Sequence, residues 1–312
     1  MPMAKAVVGL ALGGGAARGL AHIGVIEALV EAGLEPVIVA GTSIGAVAGA
    51  FYAAGQLEDL HRFASTLTIR KLLRFLDVNL AGSSLMRGKR LEKTLISHIG
   101  DAQIEALPKK FVAIATELGT GQEVWLTKGS LAAALRASYA LPGIFKPVRI
   151  GGRWLMDGAL VNPVPVTAAR ALGATFVLAV TLHSGHYVRN ALLPVEAEAA
   201  LDFKADNGQD DQPAKKTRIG LFKRQMLGRR QDGAPGIPRV VLEAFNITQN
   251  RIARSRLAGD PPDATIQVDL DGIGLFDFHK AEHAIAQGRN AAARYLSSMR
   301  RDAPVPPASA HR

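Results

Sequence analysis

Apolar positions in the first sixty residues change period several times, and each change predicts an element. Ala6-Val7-Val8-Gly9-Leu10-Ala11-Leu12 is a short continuous apolar run, the pattern of a strand buried on both faces. The turn Gly13-Gly14-Gly15 follows, extended by Ala16-Ala17-Arg18-Gly19. From Leu20 to Ala32, Ile23, Ile26, Ala28, Leu29 and Val30 form the apolar face of a helix, and Gly33 supplies its stop. Pro36-Val37-Ile38-Val39-Ala40 is strand-like again, and Ala46 to Ala54 is a small, apolar helix closed by Gly55. This β-turn-α-β-turn-α opening predicts an α/β fold with a parallel, helix-covered sheet.

Residues 58–99 read as helical and basic. Leu67, Ile69, Leu72, Leu73, Phe75 and Leu76 share a segment with Arg70, Lys71 and Arg74, which suits a core helix with a solvated face or one lying on a membrane. Strands are expected at 111–116 and 123–126, and Ser130 caps a helix through Ser138. A hairpin over Gly151-Gly152 leads into Trp154-Leu155-Met156-Asp157-Gly158-Ala159. Asn162-Pro163 and Pro165 open a helix to Leu172, and 174–180 is a buried strand. A core over 1–183 follows. From 184 to 238 periodicity is lost; Lys215–Arg230 holds seven Lys or Arg and no acid, and a mobile basic insertion is expected. Helices at 239–258 and 279–297 around a strand at 264–269 complete the same domain through 299, and 300–312 reads as a disordered tail.

Composition narrows the chemistry. Zero cysteines exclude disulfides, thiolate metal sites and a cysteine nucleophile, and fit a cytoplasmic protein. A formal charge of +10 favours anionic partners, nucleic acid or a phosphate-bearing membrane face. The basic run has only Phe222 as an aromatic and no reading motif, so nucleic acid is not expected and transient contact with anionic inner membrane is. Residues 36–57 are charge-free and of membrane-spanning length, but Gly41-Thr42-Ser43 in the middle and the change of period argue for strand-turn-helix.

That turn carries the candidate chemistry. Gly41-Thr42-Ser43-Ile44-Gly45 between a strand and a helix reads as a nucleophile elbow: the glycines remove Cβ atoms that would clash, and Ser43 Oγ is pushed out above the sheet. The glycine turn after the first strand lies at the same carboxyl edge and offers backbone donors to an oxyanion. Asp157, ending a strand-like run before Gly158, is a carboxylate suited to act as base. Ser43, Asp157 and His183 also follow the chain order of a Ser-Asp-His triad, with His183 just past a strong strand. A dinucleotide fingerprint fits poorly, because no acidic residue ends the second strand. His279 and His283 lack a carboxylate at metal-site spacing, and His22 reads as structural, so no metal or organic cofactor is implied.

In Gly14-Gly15-Ala16-Ala17-Arg18-Gly19, Gly41-Thr42-Ser43-Ile44-Gly45 and Asp157-Gly158-Ala159, in that order, the chain resembles the patatin-like phospholipases, specifically the bacterial RssA-like branch. The likeness extends through Arg136-Ala137-Ser138, Pro142-Gly143 and Gly259-Asp260-Pro261-Pro262-Asp263. It implies a three-layer α/β/α fold with a mainly parallel central sheet. It also implies a lipid acyl hydrolase working through a Ser43–Asp157 dyad without histidine, by way of an acyl-enzyme. Gly14 and Gly15 would then hold the oxyanion, with Gly13, Ala16, Arg18, Gly19, Gly41, Gly45 and Gly158 supporting the motifs. The family's third glycine falls here on Ala16, and Arg18 is open to two roles, steadying the loop or meeting a phosphate. A lipid- or protein-binding scaffold of the same fold, without activity, is the competing expectation.

Overall fold

The computed structural model describes residues 6–68, 71, 97, 99–183 and 237–302. Most of the basic 67–76 segment, the Lys215–Arg230 run and residues 303–312 lie outside the described residues. Two compact units divide the chain: Met1–Ser184 with Ile247–Arg312, and Gly185–Asn246. The first contains the whole sheet; of the second, only 237–246, the start of a long helix, is described.

Among the described residues, eight strands form one sheet: β1 (Val8–Leu12), β2 (Ile38–Thr42), β3 (Lys110–Glu117), β4 (Glu123–Leu126), β5 (Val148–Ile150), β6 (Arg153–Asp157), β7 (Phe176–His183) and β8 (Ala264–Asp269). Hydrogen-bonded neighbours run β5-β6-β3-β2-β1-β7-β8, with β4 also paired to β3. Pairings from β3 through β2, β1 and β7 to β8 are parallel, and those of β4, β5 and β6 are antiparallel.

Alternation along the strands builds the two outer layers. Leu10, Leu12, Leu178 and Val180 enter the core shared with α1 (Ala21–Glu31), α2 (Ile44–Ala53), α4 (Leu131–Ser138) and α7 (Ala281–Asp302); α3 (Leu57–Ser65) joins it through Leu60 and Ala64. Ala11, Val177 and Ala179 face the other way, toward α5 (Val166–Ala171) and, on α6 (Ile237–Gly259), Ala253 and Leu257. This is a three-layer α/β/α arrangement around a mainly parallel sheet. The opening helix is divided: a 3-10 turn covers Ala16–Leu20 before α1 begins at Ala21, because Ala16 enters it at φ 50° and the chain must recover from that turn.

One register detail positions the site. β2 pairs with β3 up to Thr42↔Ile114, and β6 takes over at Asp157↔Ala115. Since β4 occupies the opposite edge of β3 across Ala113–Thr116, β2 and β6 meet end to end along a single edge. The last residue of the strand before Ser43 and the last residue of β6 therefore sit beside consecutive residues of β3.

Candidate active site

Ser43 lies between β2 and α2 with φ 56° and ψ −125°, a left-handed conformation that an L-residue holds only under constraint. Packing supplies it. A Cβ on Gly45 would stand 2.3 Å from the Leu12 carbonyl oxygen, so the start of α2 is pressed against the end of β1 and only glycine fits. The Ser43 N–H donates to Ser138 Oγ at 2.9 Å, and Thr42 Oγ1 donates to the Asn162 carbonyl at 2.8 Å.

Ser43 Oγ, at the head of α2, donates to Asp157 Oδ2 at 2.7 Å. The other carboxylate oxygen accepts the Ala159 N–H at 2.9 Å. Backbone bonds lock Asp157: its N–H donates to the Ala140 carbonyl, and its carbonyl accepts Thr116 Oγ1 at 2.8 Å. Asp157 is 1% exposed. Burial pushes its carboxyl up to about 7, opposed by the Ala159 N–H and the Ser43 hydroxyl, both of which favour the ionised form. A carboxyl poised there can take a proton and give it back near neutral pH. The direct Ser43–Asp157 bond leaves no place for an imidazole between them. His183 ends β7, its backbone in register with Asp269 of β8; its side chain lies outside what the structure describes.

The glycine turn differs in one respect from expectation. The Gly14 N–H donates to the Pro163 carbonyl at 3.0 Å and is not free to meet an oxyanion. The Gly13 carbonyl, in the same peptide unit, accepts the Nε2–H of His22 at 2.7 Å. Both ends of the 13–14 peptide are thus tied. Among the described residues, the N–H groups of Gly15 and Ala16 have no acceptor, and both residues are part-exposed. Ala16 keeps the left-handed turn at φ 50° although it is not glycine, at a conformational cost of about 1 kcal/mol. Gly14 still borders Ser43, since a Cβ there would lie 3.6 Å from Ser43 Cβ.

Arg18 is buried, and its Nε–H donates to the Ile273 carbonyl at 2.9 Å, which makes it a brace of the loop. Gly19 packs against Ile44, joining two of the motifs, Gly41 against Ala46 at the elbow itself, and Gly158 against the Ile114 carbonyl of β3. Three supports were not assigned from sequence: Ser138, His22 and the Asn162-Pro163 carbonyls. For Ser138 and Asn162-Pro163 the signal was local: Ser138 ends a capped helix, and the prolines mark a loop obliged to pass the elbow. His22 had no such signal. Fully buried, it is pushed down to about 4 by its surroundings and stays neutral, donating through Nε2.

A family profile described as patatin-like phospholipase matches residues 10–170. The chain belongs to the patatin-like phospholipase family. An uncharacterized NTE family protein of Mycobacterium bovis is 34% identical over 95% of this chain and 92% of its own length. A lysophospholipase of Emericella nidulans is 33% identical over 57% of this chain and 12% of its own. These relatives carry NTE names rather than that of the RssA-like branch. Among solved structures, VipD from Legionella pneumophila superposes with a TM-score of 0.51 at 16% identity, covering 94% of this chain and 67% of that one, a likeness of fold. For a member of the patatin-like family, lipid hydrolysis is the chemistry that membership supports.

Proposed function

We propose that this chain is a serine lipid acyl hydrolase working through Ser43 and Asp157. The observation that carries the reading is the 2.7 Å hydrogen bond from Ser43 Oγ to a carboxylate that burial has raised to about 7. Ser43 Oγ attacks the ester carbonyl carbon while its proton passes to Asp157 Oδ2. Negative charge on the carbonyl oxygen is met by the N–H groups of Gly15 and Ala16 and by the N-terminal end of α2. Collapse breaks the bond to the alcohol, which leaves with the Asp157 proton. Water then attacks the acyl-Ser43 carbonyl, giving one proton to Asp157; collapse breaks the acyl–Oγ bond, Asp157 returns that proton to Ser43 Oγ, and the acid departs.

The substrate class follows from the family and from the fungal relative's name: a glycerolipid ester, with lysophospholipids the first to try. No helix among the described residues is long and apolar enough to cross a membrane, so access to such substrates would be from the lipid surface. Labelling with a fluorophosphonate and mapping the adduct tests the reading. Modification of Ser43, absent in Ser43→Ala and strongly slowed in Asp157→Asn, is expected; an intact protein that resists labelling in the presence of lipid would favour the scaffold without activity.

A further inference from the structure

The chain contains two tryptophans, and both are on the surface: Trp154 is 51% exposed and Trp125 39%. Their settings differ. Trp125 donates its indole N–H to Glu123 Oε1 at 2.6 Å. Trp154 has no hydrogen-bond partner for its indole among the described residues, and the Arg149 guanidinium lies 5.9 Å from its ring centroid. Arg149 is the cross-strand partner of Trp154 on β5, and on the other side the Leu118 N–H donates to the Trp154 carbonyl. Cross-strand partners share a face, so Leu118, Trp154 and Arg149 form one row. Leu118 is 50% exposed. Arg149 is exposed, whereas Arg153, the next residue along β6, projects to the opposite face, within 3.8 Å of Glu117.

The row sits on the strand that ends in Asp157. Trp154 precedes Asp157 by three residues, about 10 Å of extended chain. Because β6 runs antiparallel to β3, that displacement points past the carboxyl edge of the parallel strands, the edge that carries Ser43. An aliphatic residue, a tryptophan whose indole N–H has no partner among the described residues and a cation, beyond the carboxyl edge of the parallel strands, match the layered chemistry of an anionic bilayer. Acyl chains take the apolar groups, the interfacial zone takes the indole, and lipid phosphates take the cation.

We propose that the Leu118–Trp154–Arg149 row is where this protein docks on anionic phospholipid, bringing the dyad to the lipid surface. The inference rests on the lipid-hydrolase reading above, and its test is separable from that reading. In a Ser43→Ala, Trp125→Phe protein Trp154 is the lone tryptophan. Its emission should shift to the blue with phosphatidylcholine vesicles containing phosphatidylglycerol, and far less with phosphatidylcholine alone. Trp154→Ala and Arg149→Glu, made in the active protein, should each weaken vesicle affinity about tenfold. Both should hydrolyse a water-soluble short-chain ester at the parental rate. Unshifted Trp154 emission, unchanged vesicle affinity in both variants, or a change in self-association at sedimentation equilibrium with vesicle affinity intact would each overturn the proposal. Failure of the hydrolase reading would look different: vesicle binding through this row with Ser43 inert to fluorophosphonate.

Discussion

The parallel part of the sheet and its antiparallel end are built on opposite terms. β1, β2 and β7 are buried on both faces, with Leu10, Ala11, Leu12, Val39, Ala40, Val177 and Leu178 all at 0% exposure. β5 and β6 carry alternate residues outward, and Trp154 and Arg149 stand at the surface. Each part supplies half of the proposed dyad. Ser43 comes from the buried part, held in an unfavourable backbone conformation by contacts that cannot yield. Asp157 comes from the exposed end and is positioned by pairing, with β6 continuing the edge of β3 that β2 leaves. The difference teaches that strain is kept where the core resists it, while the carboxyl proposed to titrate hangs on a strand whose position is set by hydrogen bonds.

Removing either half is the strongest way to break the comparison. Ser43→Ala and Asp157→Asn should each lower ester turnover by at least about 10³-fold, read by steady-state kinetics with folding checked by circular dichroism. Next comes the rigid side. Gly45→Ala places a methyl 2.3 Å from the Leu12 carbonyl oxygen and should cost about 3 kcal/mol or more, visible as a fall of about 6–12 °C in Tm. A comparable insertion on the exposed end, at Gly151 where a Cβ meets nothing within 4 Å, should cost only the price of its φ of 55°, about 1–2 kcal/mol.

The titrating side answers to pH. Asp157 binds its proton up to about 7 in the fold and only to about 3.9 in the unfolded chain. Between those values the native state holds the extra proton, so its stabilising effect is full below about 4 and is lost as pH rises through 7. The loss is up to about 4 kcal/mol, and Asp157→Asn should flatten that slope in urea titrations across this range. Catalysis runs the other way: kcat/KM for a soluble ester should rise with pH and level off above about 7, as the carboxylate forms.

Two smaller changes sharpen the picture at the glycine turn. His22→Ala leaves the Gly13 carbonyl without its donor, at a cost of about 1–3 kcal/mol. It should lower kcat more than it raises KM, and His22→Gln, which retains a donor, should recover part of the loss. Ala16→Gly should raise stability by about 1 kcal/mol, because φ 50° favours glycine, with turnover unchanged.

Local order was largely legible in the sequence. The strand at 264–269 and the capped helix to Ser138 fall where periodicity and capping place them, because which residues face a core is written in the spacing of apolar side chains. The elbow was legible for the same reason, as a change of period centred on Gly41-Thr42-Ser43-Ile44-Gly45. The donor role expected of Gly14 was not: whether its N–H is free depends on the Pro163 carbonyl, some 150 residues away, and no local pattern reports that bond. The same holds for His22 beneath Gly13. The sequence by itself determined the α/β alternation, the small residues that let the elbow close, and Ser43 and Asp157 as candidates for the chemistry. Only the tertiary structure decided that β6 would succeed β2 along β3, that the two side chains would meet, and that the carboxyl would be buried deeply enough to hold a proton near neutral pH. Pairing register and desolvation are properties of surfaces brought together from distant parts of the chain.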